Sequence, residues 1–321
     1  MYPHLRPGYS VRPPTVADIP AISQLIYAFD EYETGEADLY PTEDIQHDWL
    51  GLDVARDSWV VVADDGVLCG YATLTFKSSG GRLLADGYVH PRHYNNGIGT
   101  TLIELLEARA AEIVRQVPGD TRLVLVNNVV ASSNASINLL EKFAYTLTRV
   151  YFRMSITLTE PPLAPVWPAH ITLRVCDGSP EDIYRVYAAT EDSFRDMWAH
   201  NPQSYETWKK GHVHEHFDPS LWFLAMDGEQ VAGVARCRTT EDNKGWISAL
   251  GVRRPWRKQG LGKALLYQSF GAFYQRQSTS VGLGVDSQSL TGAQRLYESV
   301  GMQVSMRIGR YEKELRPGRE L

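Results

Sequence analysis

An internal repeat is the feature of this 321-residue chain that most limits its possible folds. Residues 89–99 read Val-His-Pro-Arg-His-Tyr-Asn-Asn-Gly-Ile-Gly, and residues 252–262, 163 positions later, read Val-Arg-Arg-Pro-Trp-Arg-Lys-Gln-Gly-Leu-Gly. Trp59 and Trp222, each at the start of an apolar run, keep the same spacing. A repeat of this length is the size of a whole domain. The sequence therefore predicts two tandem copies of one fold.

A proline-rich segment lies between the two copies. Residues 159–168 read Thr-Glu-Pro-Pro-Leu-Ala-Pro-Val-Trp-Pro, with four prolines in ten residues. Such a composition is typical of a stiff, extended connector. We therefore predict an N-terminal domain over 1–158, a linker over 159–168 and a C-terminal domain over 169–321.

Strand and helix patterns alternate within each copy. In the second copy, residues 246–252 and 281–285 read as strands, and apolar positions recur at helical spacing between them. A further helix is predicted over 291–299, followed by strands over 303–312. Each copy also contains an Asp-Gly pair between two apolar runs, a hairpin signature. The predicted fold class is α/β (α+β): two tandem domains, each a mixed, twisted sheet flanked by helices.

The beginning of the second copy predicts a strand over 171–175 and then a helix. Ser179 precedes that helix, and its hydroxyl suits an N-cap. The pattern extends the helix to about Trp198.

Charge and composition exclude several classes of protein. The chain has 32 Lys and Arg against 38 Asp and Glu, a net charge of −6, which argues against a nucleic-acid partner. No apolar run approaches the ~20 residues of a membrane-spanning helix, and the N-terminus lacks the apolar core of a secretory signal. The widely spaced Cys69, Cys176 and Cys237 predict neither a disulfide framework nor a thiolate zinc site. We expect a soluble, cytoplasmic protein without a membrane partner.

Each copy places a pair of glycines between a strand and a helix. Gly97 and Gly99 in the first copy, and Gly260 and Gly262 in the second, leave main-chain N–H groups unobstructed at a helix N-terminus, where an anion such as a diphosphate is favoured. A tight turn that merely needs glycine is the alternative, but the duplication favours binding.

Two other phosphate-binding motifs do not fit. A dinucleotide-binding fingerprint has a third glycine three residues on, where this chain has Leu102 and Leu265. The lysine-serine pair of a nucleoside triphosphate-binding loop is also missing. The ligand is therefore expected to be another phosphorylated cofactor.

The glycine segments resemble the signature of the GNAT superfamily of acyl-CoA-dependent N-acyltransferases, Arg/Gln-x-x-Gly-x-Gly/Ala. Residues 257–262, Arg-Lys-Gln-Gly-Leu-Gly, match it completely, whereas residues 94–99 begin with tyrosine. A downstream family element, roughly Leu-Tyr-Glu-x-x-Gly-Phe, is present at 296–302 as Leu-Tyr-Glu-Ser-Val-Gly-Met. Its counterpart at 139–145, Leu-Leu-Glu-Lys-Phe-Ala-Tyr, lacks the tyrosine and the glycine. The whole chain is similar to the tandem two-domain subfamily that includes mycothiol synthase.

This resemblance implies an N-acetyltransferase with acetyl-CoA as co-substrate, a catalytic C-terminal domain and a degenerate N-terminal domain. Tyr297 would donate a proton to the departing thiolate; packing in the core is the alternative role for its ring. Arg253 and Arg254 are either phosphate ligands or scattered surface charges. The residues expected to bind acyl-CoA are Leu250, Val252, Arg257, Lys258, Gln259, Gly260, Gly262 and Lys263, with Val89, Gly97 and Gly99 in the first copy.

The general base is not evident from the sequence. Related tandem enzymes often place a glutamate where this chain has Trp246. Possible substitutes, which the sequence does not rank, are Asp242, Glu241, His212, His214 and His216. The three histidines also resemble a metal cluster, but no fourth ligand is evident and we expect no metal.

The acceptor is expected to be the amine of a small molecule, either apolar or cationic. Four aromatic residues either line the acceptor side or pack in the helical core: Phe194, Trp198, Tyr205 and Trp208.

Two alternatives to a small-molecule acetyltransferase stay open. One is a protein that binds acyl-CoA without turnover, which the tryptophan at 246 favours; the other is an enzyme that acetylates a protein N-terminus or lysine. The sequence indicates no oligomeric state.

Overall fold

The computed structural model divides the chain into two compact units. The described residues are 2–35, 40–77, 81–117, 119–198, 200–213, 217–240, 242–289 and 291–319. The first unit comprises Met1–Val150 and Arg307–Leu321, and the second comprises Tyr151–Met306.

The two repeats contribute closely similar series of helices and strands. In the first repeat these are β1 (Tyr9–Arg12), α1 (Ile19–Thr34), α2 (Thr42–Trp49), α3 (Val54–Asp57), β2 (Ser58–Ala63), β3 (Leu68–Lys77), β4 (Arg82–Val89), α4 (Ile98–Gln116), β5 (Leu123–Val130), α5 (Asn134–Lys142) and β6 (Thr146–Thr157). In the second repeat they are β7 (Ile171–Val175), α6 (Pro180–Phe194), α7 (Tyr205–His212), β8 (Trp222–Asp227), β9 (Gln230–Thr239), β10 (Gly245–Val252), α8 (Leu261–Gln275), β11 (Ser280–Asp286), α9 (Ala293–Glu298) and β12 (Gln303–Arg316).

The sheets of the two units have equivalent strand orders. The first is ordered β1-β2-β3-β4-β5-β12, and the second is ordered β7-β8-β9-β10-β11-β6. In each, the fourth and fifth strands are parallel and the other neighbours are antiparallel. Helices cover both faces of each sheet, α1 and α4 in the first unit and α6 and α8 in the second. The predicted fold class, mixed sheets flanked by helices, is confirmed.

The last strand of each repeat completes the sheet of the other unit. From Ile308 onward, β12 pairs with β5 in the first unit. From Tyr151 onward, β6 pairs with β11 in the second unit. The division between the units therefore differs from the predicted domain limits of 1–158 and 169–321, because the chain passes from one unit to the other within β6 and again within β12. Residues 161–168 contain no helix or strand and belong to the second unit.

The first helix of the second repeat is shorter than predicted. Ser179 caps it as expected, accepting a hydrogen bond from the Asp182 N–H at 3.2 Å. The helix ends at Phe194 rather than near Trp198, and Ser204 caps the separate helix α7. Asn201 and Pro202 lie between the two helices, and proline disfavours helical geometry in the residue before it. No helix in the described parts of the chain is long and apolar enough to cross a membrane.

An arginine on the first strand of each unit pairs with an aspartate at the start of the following helix. Arg12 donates two hydrogen bonds to Asp18, at 2.7 and 2.8 Å. Arg174 donates through Nε to both carboxylate oxygens of Asp182, at 2.9 Å each. Asp182 is fully buried, so it depends on such partners. The pair fixes the direction in which the chain leaves the strand in each unit.

Replacing Asp18 by asparagine tests this pair in the first unit. Hydrogen bonds from Arg12, supported by Thr15, lower the pKa of Asp18 to about 2. The unfolded value is ~4, so the stabilisation is present above pH 4 and is lost as the pH falls toward 2. We expect Asp18→Asn to lower the free energy of unfolding by about 1–2 kcal/mol at pH 7, less than the full shift implies because Arg12 is partly exposed.

Urea unfolding at pH 7 and pH 3 measures the effect, with Glu31→Gln on α1 as the control because the Glu31 side chain is exposed. An equal loss at both pH values would contradict the role of the carboxylate charge.

Candidate active site

A gap between two parallel strands lies at the centre of the second unit. β10 and β11 pair at Gly245↔Val281, Trp246↔Gly282 and Ile247↔Leu283, and the pairing then stops although both strands continue. A bulge between Ile247 and Ala249, where β10 pairs with β9, coincides with this separation. Main-chain groups of residues 248–252 that point toward β11 thus have no strand partner among the described residues. They are available to a ligand, and Leu250 and Val252, which are predicted to bind acyl-CoA, lie in this segment.

The glycine loop follows this gap directly. Gly260 is the N-cap of α8 and has a φ of +88°, and apart from its chain neighbours and the helix backbone no protein atom lies within 4 Å of where its Cβ would be. The first N–H groups of a helix have no partner within the helix. The loop therefore presents unobstructed donors at the positive end of α8, a suitable site for an anion.

Gly262 has a different role from Gly260. A Cβ there would lie 2.8 Å from Leu296 Cδ2, and about 4 Å from side chains of Val252 and Leu250. The absence of a side chain at 262 thus lets α9 approach the start of α8. This contact places the helix that carries Tyr297 beside the glycine loop.

Tyr297 lies on α9 within the core of the second unit, with 6% of its surface exposed. Burial raises its pKa to about 12. Its hydroxyl makes no hydrogen bond with the described residues, and it is not among the polar atoms that are both closed off and without a partner. The side chain therefore keeps its proton at neutral pH and has it available for transfer.

The cations around the loop fall into two groups. Arg253 and Arg254 bind Asp192 and Asp196. Arg257 donates to the Val252 and Ser193 carbonyls, at 3.0 and 3.2 Å. These arginines position the loop rather than face a ligand, which argues against the predicted phosphate contact of Arg257.

The lysines and Gln259 complete the loop. Lys258 and Lys263 are exposed and form no ion pair with the described residues. The side-chain amide of Gln259 donates to the Pro255 carbonyl. The Lys263 Nζ lies 5.8 Å from the ring centre of Tyr267. Within the described residues neither ammonium group is neutralised by a carboxylate, so both can meet a phosphate.

A groove of about 460 Å³ lies beside Gly260. One wall is formed by residues 166–168 of the proline-rich segment, including Trp167. The other wall is formed by α8 through Lys263 and Tyr267. The groove thus extends from the N-terminus of α8 at Gly260 and is lined by the rings of Trp167 and Tyr267 and by Lys263.

The structure does not bring a carboxylate to the position of Trp246. The Trp246 indole packs over Gly282 of β11, with the Arg153 guanidinium 5.4 Å from its centre. Asp242 lies before β10, at the end opposite the glycine loop, and binds Lys244 at 2.6 Å. The His212 ring stacks on Trp208 at 4.6 Å. The other candidate bases, Glu241, His214 and His216, lie outside the described residues.

The helices α6 and α7 cover the sheet face opposite α8. A Cβ at Gly251 would meet Ser193 at 2.6 Å and Phe194 at 3.3 Å, so the end of α6 reaches the gap. Of the predicted aromatic residues, Trp208 is buried, Trp198 is 40% exposed, and Tyr205 packs on the tyrosines of α6.

Arg236, which the sequence analysis missed, is buried in β9 between Trp208 and Trp222. The sequence does contain a sign of this buried charge, because Arg236 interrupts the apolar run of β9.

The equivalent loop in the first unit is covered by the chain itself. Gly97 is the N-cap of α4 and has a φ of +80°, and the His4 carbonyl oxygen lies 1.7 Å from where its Cβ would be. The Arg6 N–H donates to the Asn96 carbonyl at 3.1 Å. The N-terminal segment thus occupies this side of the loop, which argues against the prediction that Val89, Gly97 and Gly99 bind acyl-CoA.

Other sequence differences in the first unit also argue against acyl-CoA binding at its glycine loop. Tyr94 donates to Glu33 at 2.7 Å, and the buried Leu140 occupies the place of Tyr297. Asn95 and Thr100 stand where the second repeat has its two lysines. Gly99 keeps the packing role of Gly262, with Leu139 2.8 Å from its Cβ position. The first unit therefore retains the scaffold and lacks the side chains of the site.

Comparison with known proteins assigns the chain to a family. The Acetyltransferase (GNAT) family matches residues 22–145 and, again, 183–302. The chain belongs to the GNAT acetyltransferases. It is therefore an acyltransferase of the class that uses acyl-CoA, and the predicted resemblance is confirmed.

Related proteins match this chain over most of its length. A mycothiol acetyltransferase of Thermomonospora curvata is 26% identical over 283 residues, covering 88% of this chain and 90% of the relative. One from Saccharopolyspora erythraea is 26% identical over 266 residues, covering 77% and 82%. A crystal structure of a GCN5-related N-acetyltransferase from Sphaerobacter thermophilus has a TM-score of 0.86, with 36% identity over 99% of both chains. The tandem GNAT protein from the clavulanic acid biosynthesis pathway, at 17% identity and a TM-score of 0.73 over 97% of this chain and 100% of that one, shares the fold.

Alanine substitutions at the two loop glycines should differ in their effect on stability. Both residues have positive φ, so each change costs roughly 1–2 kcal/mol of backbone strain. Gly97→Ala must also displace the His4 main chain, adding about 1–3 kcal/mol, whereas Gly260→Ala meets open space. We expect Gly97→Ala to lower the free energy of unfolding by more than Gly260→Ala does, as measured by urea unfolding. Equal losses would show that the N-terminal segment does not rest on the first loop.

Proposed function

We propose that the second unit transfers the acetyl group of acetyl-CoA to a primary amine of a small molecule, and that the first unit is not catalytic. The observation that carries this proposal is the contrast between the two glycine loops. The loop at Gly260 is open and lies beside an unpaired strand edge and Tyr297, whereas His4 covers the loop at Gly97. The mycothiol acetyltransferases among the relatives support a small-molecule acceptor.

In this proposal, the second unit would hold acetyl-CoA along the start of α8. The N–H groups after Gly260, with Lys258 and Lys263, would bind the diphosphate. The groove between Trp167 and Tyr267 would receive the nucleotide end, because aromatic faces suit a base. The strand edge at 250–252 would bind the arm that leads to the thioester, whose acetyl group is the one transferred.

Tyr297 would act as the general acid. The amine nitrogen bonds to the acetyl carbon, the carbon–sulfur bond breaks, and the sulfur takes the hydroxyl proton of Tyr297. Before the attack, solvent accepts one proton from the substrate ammonium. After the nitrogen–carbon bond forms, the nitrogen loses a second proton, which returns through solvent to the tyrosinate. Because burial raises the pKa of Tyr297 to about 12, the phenol stays protonated across the neutral and mildly alkaline range.

The Tyr297→Phe variant tests this role. We expect turnover to fall about 100-fold or more, because a positioned general acid typically contributes that much, while acetyl-CoA affinity changes little. Release of free thiol, measured across a panel of small amines, gives the rate, and calorimetry gives the affinity. The control is Tyr94→Phe, the tyrosine of the first loop, which should leave the rate nearly intact. Wild-type turnover in Tyr297→Phe would remove Tyr297 from the mechanism.

A separate titration tests which unit binds the cofactor. We expect one CoA per chain by calorimetry, because only the loop of the second unit is open. Combined Lys258→Met and Lys263→Met substitutions should weaken binding about 10- to 100-fold, through the loss of two charge-assisted contacts. Arg92→Met, an exposed cation near the first loop, should have no effect.

The outcomes of this titration separate the alternatives. Two molecules of CoA per chain would overturn the assignment of the first unit. Binding without thiol release across the amine panel would favour a sensing protein, the alternative supported by the tryptophan at 246. Acetylated peptides without acetylated small amines would favour a protein acceptor.

A further inference from the structure

Arg236 is a buried cation on the face of the second sheet that α6 and α7 cover. It lies in the middle of β9 and is 7% exposed. Its strand neighbours Ala235 and Cys237 face α8, whereas Val234 packs in the cluster beneath α6 and α7. Because side chains alternate along a strand, Arg236 points to the face that α6 and α7 cover.

Its guanidinium has aromatic neighbours but no anionic one among the described residues. The Cζ atom lies 5.2 Å from the ring centre of Trp208 and 5.5 Å from that of Trp222. Nε is closed off from solvent and has no hydrogen-bond partner, and no carboxylate among the described residues pairs with this arginine. The two terminal nitrogens are not among the enclosed atoms, so they still reach solvent. Burial lowers the pKa of Arg236 to about 10, so the group is charged at neutral pH.

A buried charge without a counter-ion is unfavourable in a folded protein. Aromatic faces compensate for part of the lost hydration, but they do not accept the in-plane hydrogen bonds of a guanidinium. Ser193 Oγ, where α6 reaches Gly251, is a second enclosed polar atom without a partner on this side of the sheet. An anionic ligand would satisfy the guanidinium.

The position of Arg236 relates it to the reaction. It pairs across the strands with Ala249, the residue after the bulge, and Gly251 lies two positions further along β10. Strand spacing and rise then place a group bound at Arg236 roughly 5–8 Å from the gap between β10 and β11. A short molecule could therefore contact Arg236 and present an amine at the gap.

We propose that Arg236 binds an anionic group of the acceptor, and that the acceptor is a small amine carrying a carboxylate or a phosphate a few bonds from its nitrogen. The planar fork of arginine matches both groups with two parallel hydrogen bonds. The indoles of Trp208 and Trp222 form the walls of this subsite. This inference rests on the proposed function, and it replaces the expectation of an apolar or cationic acceptor.

The inference is tested by comparing acetylation rates for pairs of amines that differ in an anionic group. The pairs are 4-aminobutyrate with n-butylamine for a carboxylate, and phosphoethanolamine with ethanolamine for a phosphate. We expect kcat/KM to be at least about tenfold higher for the anionic member of one pair, and that pair identifies the anion. Arg236→Met should abolish the preference, whereas Arg236→Lys, which keeps the charge without the fork, should retain part of it. The control is Arg238→Met, an exposed arginine on the same strand, which should keep the wild-type ratio.

Binding separates this inference from the proposed function. Calorimetry with 4-aminobutyrate and with phosphoethanolamine, in the presence of CoA, should give a complex with the wild type and with Arg238→Met, and none with Arg236→Met. If this binding pattern is observed but neither amine is acetylated, the anion subsite is supported and the proposed activity is overturned. Equal rates within both pairs, no anion binding by the wild type, or an unchanged preference in folded Arg236→Met would overturn the subsite.

Discussion

The separation of two parallel strands is the constraint on which the candidate site depends. β10 and β11 share three residue pairs and then part, with a bulge in the pairing of β10 and β9 at the same point. A sheet with complete pairing would leave no main-chain donors for a ligand, and no opening between the face covered by α8 and the face covered by α6 and α7. Gly262 supports this arrangement, because its missing side chain brings α9 and Tyr297 to the start of α8.

The two units combine a shared scaffold with different surroundings of the glycine loop. In the first unit, β4 and β5 also part after three pairs, and Gly99 makes the same close packing as Gly262. The difference lies in a few local features. A main-chain carbonyl lies against one glycine loop and a groove lies beside the other, and leucine replaces the buried tyrosine. The fold therefore fixes where a ligand could bind, whereas local side chains and the preceding segment decide whether the place is open.

Much of the fold could be predicted from the sequence, because local patterns carry it. The hairpins and the two glycine loops are determined by residues that are close in sequence, and the repeat is visible in the sequence itself. The structure has these features at the predicted positions. The strand exchange could not be predicted in this way, because β5 pairs with a strand from the opposite end of the chain. The cover over Gly97 depends on a main-chain contact of His4, for which a sequence carries no signal. The partners of Arg257 and Arg236 depend on which strand faces which helix, and motif spacing does not contain that information.

The exchanged strand also bears on how the chain is made. β5 (Leu123–Val130) is synthesised well before β12 (Gln303–Arg316), the strand that covers its edge. At 5–20 residues per second, the ribosome needs on the order of ten seconds or more to add the intervening residues. A first sheet that folds during that interval has an unpaired edge at β5, which is a template for non-native pairing. A chaperone that shields β5 until β12 has been synthesised would favour the native pairing over association between two growing chains.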